Sequence, residues 1–448
     1  MTDREVELLA IGAGPSNLAL AVALEELGSD DLAANSLLVE RAPSIEWQHG
    51  LLLPWAKSQA SFLKDLVTLR NPQSEYSFLN YLHTVGRLDD FINMASFLPY
   101  RIEVSEYFKW VASSLPKVQI KLDCSCISIE ARRDASGELT GWLAQLSDGT
   151  VVASRYLVMG IGRDAYVPPV FAEVTASRVI HSTQYRPSVA ELSKEFPYRV
   201  VVIGSAQSAA EMFRALQTDL PNAQLTWVMR SIGLGAYEKT KFTNELFFPS
   251  YVDDFYDARP EARDQLLQEM HRTNYSGIEP PFVDSIYSEL YLDHLTKQNR
   301  KRIVTMAEIT AAEETADDVV LELLDKKTGA VTELHRDLVF LGTGFVKEMP
   351  TLIRKLGFTL GLDHIRVNRQ YRLILTEPAS AACYLQGVNE ATHGIGDSLL
   401  SVVACRAGDI VHDILADRIG RANGIRQGNR MEPMPSGSRP FGSDLVGD

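Results

Sequence analysis

The stretch VELLAIGAGPSNLALAVALEEL, residues 6–27, reads as three elements in a row. Val6 to Ile11 is an apolar run of strand length, Gly12-Ala13-Gly14-Pro15-Ser16-Asn17 is a tight turn, and Leu18 to Leu27 is rich in alanine and leucine at helical spacing. A second apolar run, Ser36 to Val39, follows and ends in Glu40. Together these make a βαβ unit of the dinucleotide-binding kind, in which glycines let backbone approach a pyrophosphate and the terminal acid accepts from a ribose hydroxyl. The pattern returns in mid-chain. Arg199 to Ile203 is a strand, Gly204-Ser205-Ala206-Gln207-Ser208-Ala209 a turn and Ala210 to Leu216 a helix. The next strand, Leu225 to Met229, ends in Arg230 instead of an acid. One glycine-rich turn is a weak signal, but two complete units are far more specific. The chain is read as an α/β protein with two dinucleotide-binding, Rossmann-like domains.

Each unit is followed by a further repeat. Trp142 to Val158 reads as a hairpin around Asp148-Gly149 running into YLVMGIG, and Val319 to Phe340 as a hairpin around Thr328-Gly329 running into DLVFLGTGF. Both end in Gly-x-Gly, read as a strand end where backbone comes close to a cofactor because glycine has no Cβ. Glu261 to Met270 and Phe282 to Leu295 read as helices. From Gln427 onward Gly, Pro and Ser dominate, the composition of a disordered tail over 427–448.

Composition sets outer bounds. At about 150 residues per domain, 448 residues suggest three domain-sized units, and 45% hydrophobic with 23% charged residues describes a well-buried soluble chain. Lys+Arg 44 against Asp+Glu 58 gives −14, a field that opposes phosphate backbones and argues against a nucleic-acid partner. No apolar run is long enough for a membrane span, and the acidic start MTDREVE lacks the features of a signal peptide, so a cytoplasmic location is expected. Cys124, Cys126, Cys383 and Cys405 form neither a CxxC pair nor a zinc spacing. They read as buried thiols, with Cys124 and Cys126 on one strand face, and no metal site is expected.

The strand-end residues separate the two sites. Glu40 accepts from an adenosine ribose and repels a phosphate, which suits FAD or NAD, whereas the donor fork of Arg230 matches the 2′-phosphate of NADPH. Lys239 and Lys241 lie nearby in sequence. A flavin with NADPH limits the chemistry to hydride transfer onto flavin and onward delivery of electrons. A disulfide acceptor needs a redox-active cysteine pair beside the flavin, and neither turn has one. Oxygen is the remaining acceptor.

In order, from about Val6 to about Asp413, the segments IGAGPSNLAL, SQASFLKDLVTLRNP, YSFLNYLHTVGRLDDFIN, VIGSAQSAAEMF, TNELFFPSYVDDFY, TNYSG, GTGF and THGIGDSLLSV resemble the microbial L-ornithine N-hydroxylases of siderophore biosynthesis. These are flavin monooxygenases related to lysine N-hydroxylases. The resemblance implies a discontinuous FAD-binding domain at 1–165 and 345–426. It also implies an NADPH-binding domain at 166–344, with a mostly helical substrate-binding insertion around 242–300, and a homotetramer. It implies that NADPH reduces FAD, that oxygen adds to give a hydroperoxyflavin, and that the side-chain amine of L-ornithine attacks the distal oxygen. No catalytic residue is then required of the protein. The amine must be neutral to attack, and its reference pKa of about 10.4 means that the site deprotonates it or selects the minor form.

Carried over residue by residue, the flavin is expected to meet Gly12, Gly14, Pro15 and Asn17, the stretch from Glu40 through Trp47 to Gln48, Gln59, the backbone near Cys126, and Ser398, Leu399 and Leu400. NADPH is expected at Ser205, Ala206, Gln207, Ser208, Arg230, Asn274, Tyr275 and Ser276. The amino-acid substrate is expected at Lys64, Asn244, Glu245, Leu246, Phe247 and Ser401. Lys64 would pair with the substrate α-carboxylate and Asn244 would add an amide donor. A helix-surface lysine is the commoner use of such a residue, but its place in FLKDL favours the substrate. His181 and His393 fall at motif positions and are not assigned to catalysis.

Lysine-hydroxylating relatives typically lack the counterparts of Asn244 and Asn274, and diamines have no carboxylate for Lys64, so the set favours ornithine. An amine one methylene longer projects its nitrogen about 1.3 Å further, and a near-attack distance of about 3–3.5 Å tolerates little such error. The chain departs from its relatives at Ala206, where glycine is usual, in YEKTKF at 237–242, and in MGIGRDAY at 159–166. The departures keep two other readings open. One is a hydroxylase of lysine, a diamine or another primary amine; the other is a flavoprotein whose NADPH site is degraded, acting as an oxidase or a non-catalytic partner.

Overall fold

The computed structural model describes residues 2–236, 240–275 and 277–423. The segment 427–448, read as a tail, lies outside the described residues. The first sheet grows from the opening βαβ unit. β1 (Arg4–Ile11), β2 (Ser36–Val39), β3 (Gln119–Lys121), β4 (Cys126–Arg133), β5 (Leu139–Leu146) and β6 (Val151–Met159) lie in the order β3-β2-β1-β6-β5-β4. Pairings from β3 to β6 are parallel, and the β6-β5-β4 meander is antiparallel.

The middle of the chain supplies β7 (Val179–His181), β8 (Arg199–Ile203), β9 (Gln224–Val228), the short parallel pair β10 (Gly235–Ala236) and β11 (Gly277–Ile278), and β12 (Lys301–Val304). It continues with β13 (Ala307–Glu314), β14 (Val319–Asp325), β15 (Val331–Arg336) and β16 (Leu338–Leu341). The second sheet is parallel throughout, in the order β12-β9-β8-β16-β7. Unlike the first meander, β13-β14-β15 leaves its parent sheet and forms a separate antiparallel one. β17 (Ala382–Leu385) then returns to the first sheet, in parallel with β6. Helices Pro260–Tyr275 and Pro280–Leu295 occupy the predicted helical stretches. Among the described residues no helix is long and apolar enough to cross a membrane.

Strands buried on both faces read as continuous apolar runs. In the first sheet Leu8, Ala10, Tyr156, Val158 and Tyr384 face one core, and Leu9, Ile11, Leu157, Met159 and Leu385 the other. The helix Pro15–Leu27 is buried from Asn17 to Leu24 because it lies between this sheet and the C-terminal helix Val403–Ala422. In the second sheet Val200, Val202 and Trp227 pack on the helix Gln207–Asp219, while Val201, Val228 and Val339 pack on the separate β-sheet.

The first glycine of each Gly-x-Gly strand end is required by packing within its own unit. A Cβ on Gly160 would sit 2.6 Å from the Asn17 side chain, and one on Gly342 would sit 2.6 Å from the Ala209 Cβ. Each lets the neighbouring turn and helix cross the strand end. Gly12 (φ 91°) and Gly204 (φ 137°) complete the fit, since a Cβ on either would strike the carbonyl of Gly160 or Gly342. One expectation changes: β4 opens at Cys126, and Cys124 lies before it, so the two do not share a strand face.

The first unit is tied to the C-terminal part of the chain by a buried polar network. Asn17 donates to the carbonyls of Ile11 (2.9 Å) and Gly12 (2.8 Å) and accepts from Gln386 (2.8 Å). The Arg406 guanidinium donates to Gln386 (3.1 Å), Asp397 (2.7 Å) and Ser16 (2.8 Å). The two units meet at another buried pair, where Arg101 grips both oxygens of Glu211 at 2.8 and 2.9 Å.

Both motif histidines have structural partners. His181 bonds the Gly344 carbonyl at 2.9 Å and accepts from the Thr183 amide, capping a short turn. His393 stacks on Tyr371 at 4.0 Å and bonds the Arg369 carbonyl at 3.2 Å.

Two predictions follow from this packing. Gly342→Ala should lower stability by about 1–3 kcal/mol through overpacking, read as a fall in melting temperature; an unchanged melt would refute the crossing argument. Burial pushes the His393 pKa down from 6.5 to about 4. Between those values the unfolded chain binds a proton that the native state does not, so stability is lost as pH falls from 6.5 towards 4. His393→Gln should flatten that acid limb by up to about 1.4 kcal/mol per pH unit, measured as denaturant midpoints between pH 7 and 5.

Candidate active site

The two glycine turns and the C-terminal segment 394–402 carry many of the predicted site residues. At the first turn, Gly14 caps the helix in extended backbone, Pro15 occupies the first helical position, and no side chain caps the free N–H groups. The first helical turn carries no acid, and a Cβ on Gly14 would meet nothing within 4 Å. This is an open cradle of N–H donors at a positive helix end, the donor set that a pyrophosphate requires. Glu40 closes its side by accepting from Ala13 (2.7 Å) and Ala42 (3.0 Å) with separate oxygens. Trp47 packs edge-on against Phe108 at 5.9 Å, and Gln48 adopts a left-handed φ of 53° before a short turn. Gln48 and Gln59 are both exposed. Burial pushes the Cys126 thiol up to about 12, so it stays protonated.

At the second turn, Ala206 stands where Gly14 stands in the first, as the N-cap of Gln207–Asp219. Its φ of −112° and ψ of −174° are open to any residue, so the alanine causes no backbone strain. Here too the helix end has no side-chain cap and no acid in its first turn, which fits a second phosphate group. Ser205 and Ser208 are half-buried, and Gln207 donates to Glu211 at 3.0 Å.

The hydrogen-bond register corrects one sequence equivalence. Gly12 donates to Val39 and Glu40 to Lys121; Gly204 donates to Val228 and Met229 to Val304. Glu40 therefore matches Met229, which is buried, and Arg230 is the following residue. Its side chain is 73% exposed and lies 3.8 Å from Glu308.

Other predicted residues gather around the segment 394–402. The Lys64 ammonium lies 4.4 Å from the centre of the Phe248 ring, beside the stretch Asn244 to Phe247. Lys64 and Leu400 line one narrow pocket with Ser61, Asp65 and Tyr107. Leu246, Phe247 and Leu399 share a small apolar cluster with Met270 and Ile395, while Asn244 and Glu245 are exposed and Ser401 is buried. Tyr275 donates to Glu390 and shares a 3.1 Å hydrogen bond with Ser398, and Arg163 lies 3.5 Å from the same carboxylate. Burial, then Glu390, hold the Tyr275 phenol protonated well above its ordinary range. Ser276 and the side chain of Asn274 lie outside the described residues.

Sequence reasoning missed Arg101, Glu211, Gln386, Asp397 and Arg406. No local pattern marks them, since their network is closed by partners far along the chain: Glu211 for Arg101, Asn17 for Gln386 and Ser16 for Arg406.

Residues 4–347 match the family model described as L-lysine 6-monooxygenase/L-ornithine 5-monooxygenase. The L-ornithine N(5)-monooxygenase of Pseudomonas aeruginosa is 36% identical over 90% of this chain and 92% of its own. Among solved structures, the ornithine hydroxylase of Pseudomonas aeruginosa superposes with a TM-score of 0.86 at 34% identity, over 92% of this chain and 100% of that one. The ornithine N-hydroxylase of Kutzneria sp. 744, with reduced FAD, NADP+ and L-ornithine, superposes with a TM-score of 0.84 at 32% identity, over 92% and 100%. The chain belongs to the L-lysine 6-monooxygenase/L-ornithine 5-monooxygenase family of N-hydroxylating flavin monooxygenases.

Proposed function

We propose that this protein is an NADPH- and O2-dependent flavin monooxygenase that hydroxylates the side-chain amine of L-ornithine to N-hydroxy-L-ornithine. The observation that carries the reading is the pair of uncapped helix starts at the two glycine turns, together with Lys64, which stands over the Phe248 ring and shares a pocket with Leu400. FAD belongs to 1–165 with 345–426, and NADPH to 166–344. The helical region around 242–300 borders the substrate. Bound FAD, once reduced by NADPH, supplies the oxygen-activating chemistry.

The chain's own groups bind, orient and exclude. The Gly12-to-Asn17 turn and Glu40 hold the first nucleotide, and the Ser205-to-Ser208 turn with Arg230 holds the second. Lys64 supplies the cation that an α-carboxylate needs in a pocket walled by apolar and aromatic side chains. With the carboxylate fixed there, the length of the substrate side chain sets the reach of its amine, and ornithine is the substrate in the names of the similar hydroxylases of Pseudomonas aeruginosa and Kutzneria sp. 744. Leu399, Leu400 and Phe247 limit water near the reacting amine. Family membership extends the reading to a cytoplasmic homo-oligomer, a tetramer, whose product feeds a siderophore or related natural product.

The test is oxygen consumption and hydroxylamine formation with L-ornithine, L-lysine and putrescine. L-Ornithine should give the highest coupled rate, and a panel won by either other amine would overturn the substrate. Lys64→Met should cut kcat/KM for L-ornithine by about tenfold to a hundredfold, the weight of a charge-assisted hydrogen bond. Any rate with putrescine, which has no carboxylate, should hardly change. Ala206→Gly should leave stability within about 0.5 kcal/mol while tightening NADPH, measured as the half-saturation of anaerobic flavin reduction. If that value does not move, the methyl group is not what distinguishes this turn.

A further inference from the structure

The two nucleotide units repeat each other beyond their glycine turns, and the repeat locates a part of the second site that the motifs leave blank. In the first unit β3 pairs beside β2, and the chain turns through Asp123 (φ 53°) towards β4. In the second β12 pairs beside β9, and the chain turns through Met306 (φ 52°) into β13. The turns are fastened alike. Asp123 donates to the Ala42 carbonyl and Cys124 to that of Glu40, both at 2.9 Å; Met306 donates to the Ser231 carbonyl at 2.9 Å and Ala307 to that of Met229 at 3.1 Å. Ala307 is therefore the counterpart of Cys124, and Glu308 that of Ser125. The backbone near Cys126 is assigned to the flavin nucleotide, so Glu308 borders the same end of the second one.

Among the described residues, two cations converge on Glu308. Arg230 lies 3.8 Å from one of its oxygens and Lys326 lies 3.9 Å from the other. Lys326 is anchored there because its N–H donates to the Met306 carbonyl at 2.8 Å. Exposed ion pairs of this length are weak. A phosphate monoester brings more charge and three acceptor oxygens, so it outcompetes a single carboxylate for both cations.

We propose that Lys326 is a second cation for the adenosine 2′-phosphate and that Glu308 is its built-in competitor, a carboxylate that the 2′-phosphate displaces from Arg230 and Lys326. The proposal rests on the reading of the second unit as the NADPH site. A coenzyme without the 2′-phosphate leaves Glu308 in place and gains nothing from either cation. Selectivity thus comes from a sheet outside the βαβ unit as well as from its strand end.

The test is calorimetric binding of adenosine 2′,5′-bisphosphate and of 5′-AMP to the FAD-loaded enzyme. Lys326→Met should weaken the bisphosphate by about twofold to fivefold and leave 5′-AMP unchanged. Glu308→Gln should strengthen the bisphosphate by a similar factor, and the NADPH-to-NADH ratio of kcat/KM should follow both changes. Arg230→Met separates the two levels of the argument. If Arg230→Met leaves the preference for the bisphosphate intact, the reading of the second unit is at fault. If Arg230→Met abolishes that preference while Lys326→Met leaves it alone, or if Glu308→Gln weakens the bisphosphate, the proposal is overturned.

Discussion

The interaction on which the rest of the structure depends is the buried ion pair of Arg406 and Asp397, whose side chains are 1% and 0% exposed. Removing two charges from water costs several kcal/mol per ion, recovered only when every remaining donor and acceptor is matched. Here the matching groups come from far apart: Ser16 of the first turn, Gln386 after the last strand, and the Asn389 amide, which donates to Asp397 at 2.7 Å. The pair therefore has a well-satisfied environment only when the opening turn and the C-terminal segment are both in place. The segment it positions, 394–402, carries Ser398, Leu399, Leu400 and Ser401, around which the candidate site is assembled.

A second buried pair solves a different problem. Arg101 reaches from the helix Arg101–Ser114 to Glu211 on the helix of the second glycine turn. Glu211 also accepts from Gln207, the first residue of that helix. The orientation of the second turn is thus coupled to a helix that also contributes Val104, Tyr107 and Phe108 to the Lys64 pocket. Two units that bind separate nucleotides must present them to a common point, and a bidentate contact between an arginine fork and a carboxylate constrains angle as well as distance.

Strand, turn and helix in both units are legible in the sequence because they rest on local rules. Glycine and proline have fixed conformational meanings, and doubly covered strands leave continuous apolar runs. The hairpins around Gly149 and Gly329 are legible for the same reason. Local pattern does not say which sheet a strand joins, and so the separation of β13-β14-β15 from the second sheet emerges only from the pairing. The Gly-x-Gly ends show the limit most clearly: the missing Cβ at Gly160 and Gly342 is conspicuous in the sequence, yet what fills its space is Asn17 or Ala209, residues far upstream. Similarly, Arg230 is visible as a strand-end cation, while its shift of one position from Glu40 appears only in the hydrogen-bond register. Lys64 and Phe248 lie far apart in the chain, and nothing in either segment announces their contact.

The pairing of β17 with β6 also governs the order in which the molecule can be made. Met159 emerges from the ribosome long before Leu385, its partner in register. Until then the stretch of β6 from Tyr156 to Met159, which β5 does not cover, has open backbone groups on one side, and the helix Pro15–Leu27 lacks the cover of Val403–Ala422. The second sheet closes earlier, at β16, from residues that have all been synthesised by then. During translation the inserted unit can therefore mature while the unit that encloses it is still incomplete, with an unpaired strand edge exposed to other chains.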